Sequence, residues 1–149
     1  MPERVELLDE TGRYPHGDEL RAALAALLAE LGLGGRELTV VLMDDAGIAE
    51  RNASDRGVDG PTDVLSYPTS EPDDVGFPQV PHLGDVLISL DTAARQAAEH
   101  GHGLREEVLV LAAHGVTHLR GLDHQDEREW RPFLEAQRRI LELAGGGAA

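Results

Sequence analysis

Apolar residues form short continuous runs in the first two thirds of the chain and recur at helical spacing elsewhere. The runs at residues 5–8, 38–43 and 83–90, and the TDVLSYP segment at residues 62–68, are typical of β-strands. The first run precedes a glycine turn and predicts an edge strand. The proline-rich stretch at residues 69–82 predicts a surface loop.

Five further segments are predicted to be helices, and the first of them carries leucine and alanine at helical spacing. The first predicted helix runs from Asp18 to about residue 31, and the second is a short stretch towards Asn52. The third runs from the N-cap Asp91 to about His100, and the fourth covers residues 104–120. In the last helix, Pro132 makes a kink or marks the first turn. The fourth is apolar around most of its circumference and is expected to be a buried central helix. About four strands, mostly early, and about five helices, mostly late, predict an α/β (α+β) fold with helices covering one face of the sheet.

The chain has 149 residues and a mass of 16.0 kDa, which predicts one domain, residues 1–149, with a frayed tail at about 145–149. The absence of cysteine excludes disulfides, Cys-ligated zinc and thiol nucleophiles. No apolar run approaches the roughly 20 residues that a membrane helix needs. The N-terminal segment also lacks the pattern of a signal peptide. We therefore expect a cytoplasmic protein with no membrane partner.

Acidic side chains outnumber basic ones 28 to 13, which gives a net charge of −15. This balance excludes a globally basic nucleic-acid-binding protein and a polybasic membrane-surface protein, but it leaves room for a local basic groove. All 13 basic side chains are arginines, and arginine binds phosphate with a bidentate fork.

The segment AAHGVTHLRGLDH predicts a metal site. His114 and His118 are four residues apart on the predicted central helix, so their imidazoles project from one face. Gly121 ends that helix, which lets the chain fold back and bring His124 to the same point. Three imidazoles leave one tetrahedral position for water, as in catalytic zinc sites. The alternative for the pair alone is two histidines that cap a core helix.

The residue after the first histidine limits the chemistry. Zinc peptidases with an HExxH motif place glutamate there as the general base. Here that position is Gly115. The peptidase interpretation therefore lacks its base.

Two motifs resemble the YbeY family of bacterial endoribonucleases that mature ribosomal RNA. One is the complete HGVTHLRGLDH segment at residues 114–124. The other is the block formed by Asn52, Arg56, Asp59 and the PTDVLSYP segment at residues 61–68, followed by LGDV at residues 83–86. The departures are Tyr67 where the family has phenylalanine, Asp55 where it usually has an aromatic residue, and the unusual Pro132.

The resemblance implies a zincin-like fold with a four-stranded mixed sheet, and one zinc ion held by His114, His118 and His124. It also implies cleavage of single-stranded RNA and work on the small ribosomal subunit, including the 3′ end of 16S RNA. The GTPase Era and a small-subunit ribosomal protein are the expected protein partners. The residue roles that follow are catalysis by Arg56 and His114, substrate binding by Arg56, Asp63 and Ser66, and orientation of a ligand histidine by Asp85 and Asp123.

Plainer interpretations accompany these roles. Arg56 could be a surface residue paired with Asp55 or Asp59, and Asp63 could only shape the entry to its strand. Asp123 could cap a loop, and the HGHG segment at residues 100–103 is expected to be a loop at a helix C-terminus.

The net charge also predicts weak intrinsic affinity for RNA, because that affinity comes from local neutralisation of phosphates. Two other functions compete with the nuclease. One is a ribosome-assembly factor with a structural metal site and no cleavage of its own. The other is a metal-dependent hydrolase with another substrate, which the glycine at position 115 disfavours.

Overall fold

A four-stranded mixed sheet forms the centre of the fold, in a computed structural model that describes residues 5–69, 82–122 and 127–145. The elements follow in the order β1 (Val5–Asp9), α1 (Gly17–Glu30), β2 (Glu37–Met43), α2 (Asp45–Arg56), β3 (Val64–Pro68), β4 (His82–Ser89), α3 (Leu90–His100), α4 (Leu104–Leu119) and α5 (Glu127–Leu143). The strand order is β1-β2-β4-β3; β1, β2 and β4 run parallel, and β3 is antiparallel to β4. The α/β fold with a mixed four-stranded sheet is therefore confirmed, with β1 at an edge.

The main core lies between the sheet and the helices α1 and α4. Alternate residues of a strand face opposite sides of a sheet, and Val40, Leu42, Val86 and Ile88 all face this core. The apolar face of α4 is fully buried against them, which makes it the central helix that its sequence predicts. None of the helices in the described ranges is long and apolar enough to cross a membrane.

Helices cover one face of the sheet, as expected, and a second, smaller core lies on part of the other face. Ile48 of α2 packs there with Met43, Leu65 and Leu87. It forms because β2 and β4 carry apolar residues on this face as well, and α2 shields those next to it from water.

Two helix ends differ from the predictions. The N-cap of α3 is Ser89, whose hydroxyl accepts a hydrogen bond from the Thr92 amide at 3.2 Å, whereas Asp91 lies in the first turn. The helix α2 continues to Arg56 rather than ending near Asn52. Pro132 lies inside α5, beyond its first turn.

Candidate metal centre and nucleic-acid cleft

Two imidazoles of α4 meet in a surface cleft. The Nε2 atoms of His114 and His118 are 3.2 Å apart, and the ring centroids are 4.8 Å apart. The Nδ1 atom of His118 lies 3.1 Å from the carbonyl oxygen of Leu122. Because a carbonyl only accepts hydrogen bonds, Nδ1 carries the proton of the neutral ring, and the Nε2 lone pair is available as a metal ligand.

The spacing of the two nitrogens fits one metal ion. Two ligand nitrogens at zinc–nitrogen distance in a tetrahedral site are about 3.3 Å apart, which is close to the observed 3.2 Å. The predicted third ligand, His124, and the neighbouring Asp123 lie outside the described residues. The described part of the chain therefore brings together two of the three predicted ligands.

Close packing explains the glycine between these histidines. A Cβ atom built on Gly115 would lie 2.6 Å from Cγ1 and 3.0 Å from Cγ2 of Val86, and 3.2 Å from Oγ of Ser66. The helix α4 thus rests directly on β3 and β4 at this point. The glutamate of an HExxH motif does not fit here without a shift of the backbone.

The histidines share their cleft with the predicted RNA-binding residues. The cleft has a volume of about 650 Å³ and is lined by Arg56, Thr62, Asp63, Val64, Leu65, Ser66, His114, His118 and Trp130. Its walls are the end of α2, the strand β3 and the helices α4 and α5. Arg56, Asp63 and Ser66 therefore reach the same space as the two imidazoles.

Arg56 ends the helix α2 with its side chain exposed to solvent. Its Nη1 atom lies 3.4 Å from the Oδ1 atom of Asn52. Asp55 instead accepts a hydrogen bond from the hydroxyl of Tyr67 at 2.7 Å, and burial together with this bond raises the pKa of Tyr67 to about 12. Within the described ranges Arg56 has no carboxylate at ion-pair distance, so its guanidinium is available to an anion in the cleft.

Asp63, just before β3, and Ser66 within it also hold the cleft in shape. The carboxylate of Asp63 accepts hydrogen bonds from the Val64 amide at 2.7 Å and from Nε2 of Gln96 at 3.3 Å. The hydroxyl of Ser66 donates to the carbonyl oxygen of Gly115 at 3.1 Å, which ties β3 to the helix that carries the histidines. Asp63 therefore shapes the entry to its strand and lines the cleft at the same time.

The structure does not bring Asp85 to the histidines. Its neighbour Val86 faces α4, and the alternation along β4 turns the Asp85 side chain to the opposite face of the sheet. There its carboxylate lies 2.9 Å from Nε2 of His82. The bond that orients His118 comes instead from the carbonyl of Leu122.

A second histidine group was missed by the sequence reasoning. The carboxylate of Glu107 is buried in the first turn of α4, and its Oε1 atom lies 2.9 Å from Nδ1 of His100 and 2.5 Å from Nε2 of His102. The hydrogen bond to Glu107 raises the pKa of His100. The three ligand atoms lie within 4.8 Å of one another, so the group could hold a metal ion. The observed distances are also those of hydrogen bonds between the two imidazoles and Glu107, and such bonds supply the buried carboxylate with the partners that it needs.

Comparisons with known proteins agree with the predicted resemblance. The family model described as Endoribonuclease YbeY matches residues 14–145. A Thermus thermophilus protein named Endoribonuclease YbeY is 53% identical over 133 residues, covering 88% of this chain and 94% of the relative. A Moorella thermoacetica protein of the same name is 44% identical over 144 residues, covering 90% and 91%. The solution structure of TM1509 from Thermotoga maritima is similar in fold, with a TM-score of 0.68 and 26% identity over 97% of this chain and 91% of that one.

Proposed function

Because this chain belongs to the Endoribonuclease YbeY family, we propose that it is a zinc-dependent endoribonuclease that cleaves single-stranded RNA. The proposal rests on one observation: two imidazole Nε2 atoms lie 3.2 Å apart in a cleft that also holds an arginine. We further propose that the protein matures ribosomal RNA in the cytoplasm, at the 3′ end of 16S RNA on the small ribosomal subunit. The GTPase Era and a small-subunit ribosomal protein are its proposed partners.

The proposed zinc ligands are His114, His118 and His124. Neutral imidazoles suit zinc, and the chain contains no cysteine that would compete for it. When bound, a zinc ion supplies a Lewis acid for a phosphoryl oxygen and makes water more acidic. The hydrogen bond from His118 Nδ1 to the Leu122 carbonyl supports the assignment, because it fixes the tautomer that a ligand needs.

Arg56 is proposed to hold the RNA phosphate. Its planar guanidinium can donate two parallel hydrogen bonds to a phosphate and offset its charge. Its exposed position at the end of α2, on the wall of the histidine cleft, supports this role. A phosphate held there is presented to the face of α4 from which both imidazoles project.

Asp63, at the entry to β3, and Ser66, within it, are proposed to contact the substrate. Both carboxylate oxygens of Asp63 are engaged by the Val64 amide and the Gln96 side chain, so the group is held in place before RNA arrives. The Oδ2 atom, which Gln96 engages, keeps a lone pair that can accept a hydrogen bond from a ribose hydroxyl or a base amino group. The Ser66 hydroxyl donates to Gly115 and can still accept a bond from the substrate.

The experiment is a comparison of His114→Ala with the parent on a single-stranded RNA. Cleavage should fall by about 100-fold or more, because the variant loses a metal ligand in the cleft. His16→Ala is the matched control, since His16 is an exposed histidine outside the cleft with no side-chain capping bond. Parent-like cleavage by the His114 variant would overturn the proposal.

The same samples separate the nuclease from an assembly factor with a structural metal. For a catalytic ion, chelation should abolish cleavage and leave the melting temperature nearly unchanged. For a structural ion, metal binding energy is folding energy, and chelation should melt the domain. Melting on chelation, with no RNA cleavage by the parent at any metal concentration, would favour the assembly factor.

A further inference from the structure

One large side chain on the rim of the cleft has no role in the proposed cleavage. Trp130, in the first turn of α5, lines the cleft together with His114, His118 and Arg56. Its indole ring lies 6.0 Å from the ring of His114, between centroids, and the residue is 37% exposed. The aromatic surface therefore sits beside the metal-binding imidazoles and reaches solvent.

Packing alone does not account for this tryptophan. Phe133, one turn further along α5, is fully buried, and its ring lies 4.8 Å from each of the two imidazoles. Trp130 contacts the Phe133 ring edge-on at 5.9 Å. The indole is thus supported from the protein side by Phe133 and His114, while more than a third of the residue stays accessible.

We propose that Trp130 forms a nucleobase subsite, on which one unpaired base of the RNA stacks next to the cleaved bond. The inference deepens the proposed RNA cleavage and rests on it. Aromatic side chains bind single strands by stacking on bases of any sequence. An arginine that can hold a phosphate and a tryptophan that can hold a base line the same cleft, which is the pair of contacts that a nucleotide offers.

The charge of the chain favours such a subsite as a source of affinity. With a net charge of −15, little of the binding can come from neutralised phosphates. Stacking does not depend on charge and survives at high salt. It also favours single strands, because a base inside a duplex is covered on both faces by its neighbours.

The test uses the fact that Trp130 is the only tryptophan in the chain. Its fluorescence therefore reports directly on this position, independently of cleavage. Metal-loaded parent protein is titrated with an unpaired 12-nucleotide RNA in the cold, while a gel confirms that the RNA stays intact. Anisotropy of a labelled copy of the same RNA measures binding separately.

We expect the tryptophan emission to be quenched with the same midpoint as the anisotropy change. Trp130→Ala should weaken binding by about 5- to 100-fold, the range found when a stacking aromatic is removed. The slope of affinity against salt should stay unchanged, because no phosphate contact is lost. Trp130→Phe should recover part of the affinity. Leu134→Ala is the matched control, since Leu134 is a 57% exposed apolar residue on α5 that is not among the described cleft-lining residues.

The outcomes distinguish failure of the nucleobase subsite from failure of the proposed RNA cleavage. If RNA binds the parent by anisotropy but the emission does not change and Trp130→Ala binds as tightly, the subsite is overturned and the cleavage function stands. If RNA does not bind the parent at all, both are overturned. An RNA with an abasic position at each nucleotide in turn should lose affinity at one or two positions, and equal affinity for every such RNA would also count against the subsite.

Discussion

Replacing Gly115 by alanine tests whether contact between α4 and the sheet fixes the position of the proposed metal ligands His114 and His118. The added Cβ would lie 2.6 and 3.0 Å from the two γ-carbons of Val86, at or below the 3.0 Å limit that real Cβ contacts essentially never cross. Val86 is fully buried and β-branched, so it has few rotamers with which to move away. The strain must therefore be relieved by displacement of α4, which carries His114 with it.

The change in the free energy of unfolding follows from two opposing contributions. Overpacking a core of this kind costs about 1–3 kcal/mol. Alanine is better than glycine inside a helix by about 1 kcal/mol. In the parent, Gly115→Ala should thus lower the free energy of unfolding by up to about 2 kcal/mol. In a Val86→Ala background both close carbons are absent, and the same change should stabilise the protein by up to about 1 kcal/mol.

Urea unfolding of the parent, the two single variants and the double variant measures the coupling between these positions. The expected coupling energy is about 1–3 kcal/mol, equal to the cost of overpacking. Zinc affinity should fall in Gly115→Ala and recover in the double variant, because the helix returns to its place. If Gly115→Ala has the same effect in both backgrounds to within about 0.5 kcal/mol, the contact does not position the helix and the reasoning is refuted.

Two further predictions concern Arg56 in the cleft and the partly buried carboxylate of Asp45. Arg56→Ala should weaken RNA binding or cleavage by at least about tenfold and reduce the slope of affinity against salt by roughly 0.7. The melting temperature should hardly change, and Arg56→Lys should recover part of the loss. Parent-like cleavage by Arg56→Ala across a salt titration would show that Arg56 contacts no phosphate. Burial alone would raise the pKa of Asp45, but hydrogen bonds from Ser89, Thr92 and Arg95 lower it below its usual 3.8. The stabilisation by the ionised Asp45 is therefore present above pH 3.8 and is lost as the pH falls through the pKa of Asp45 in the folded state. Asp45→Asn should thus lower the melting temperature at pH 7, and should lower it less at pH 3. A difference in melting temperature between parent and variant that does not change with pH would contradict this.

The strongly periodic elements of the fold could be predicted from sequence, whereas for the weakly periodic helix α2 a short helix was predicted but its full extent was not. The apolar runs of β1, β2 and β4 and the apolar helix α4 carry their own signal. The helix α2 buries only Ile48 and Asn52 along its length, so no apolar stripe marks it. Asn52 is buried because its side-chain amide donates to the Gly60 carbonyl at 2.9 Å, a contact that depends on the loop beyond the helix.

The candidate site shows the same division between local and distant contacts. The spacing of His114 and His118 on one helix turn was sufficient to predict that their imidazoles meet. The sheet face of Asp85 could have been predicted from its neighbour Val86, since a core residue turns the next one outward. The group around Glu107 could not be predicted, because it forms only when the chain reverses at Gly101, which has a left-handed backbone conformation with φ of 76°. This reversal brings His100, at the end of α3, and His102, in the loop, to the start of α4.

The most direct test of the account is metal analysis of the purified protein, coupled to cleavage of a single-stranded RNA before chelation, after chelation and after zinc is restored. We expect about one zinc ion per chain in the cleft, loss of cleavage on chelation, and recovery when one equivalent of zinc is returned. His114→Ala should neither retain that ion nor regain activity. RNA cleavage that continues at the parent rate in fully chelated protein would contradict the central claim.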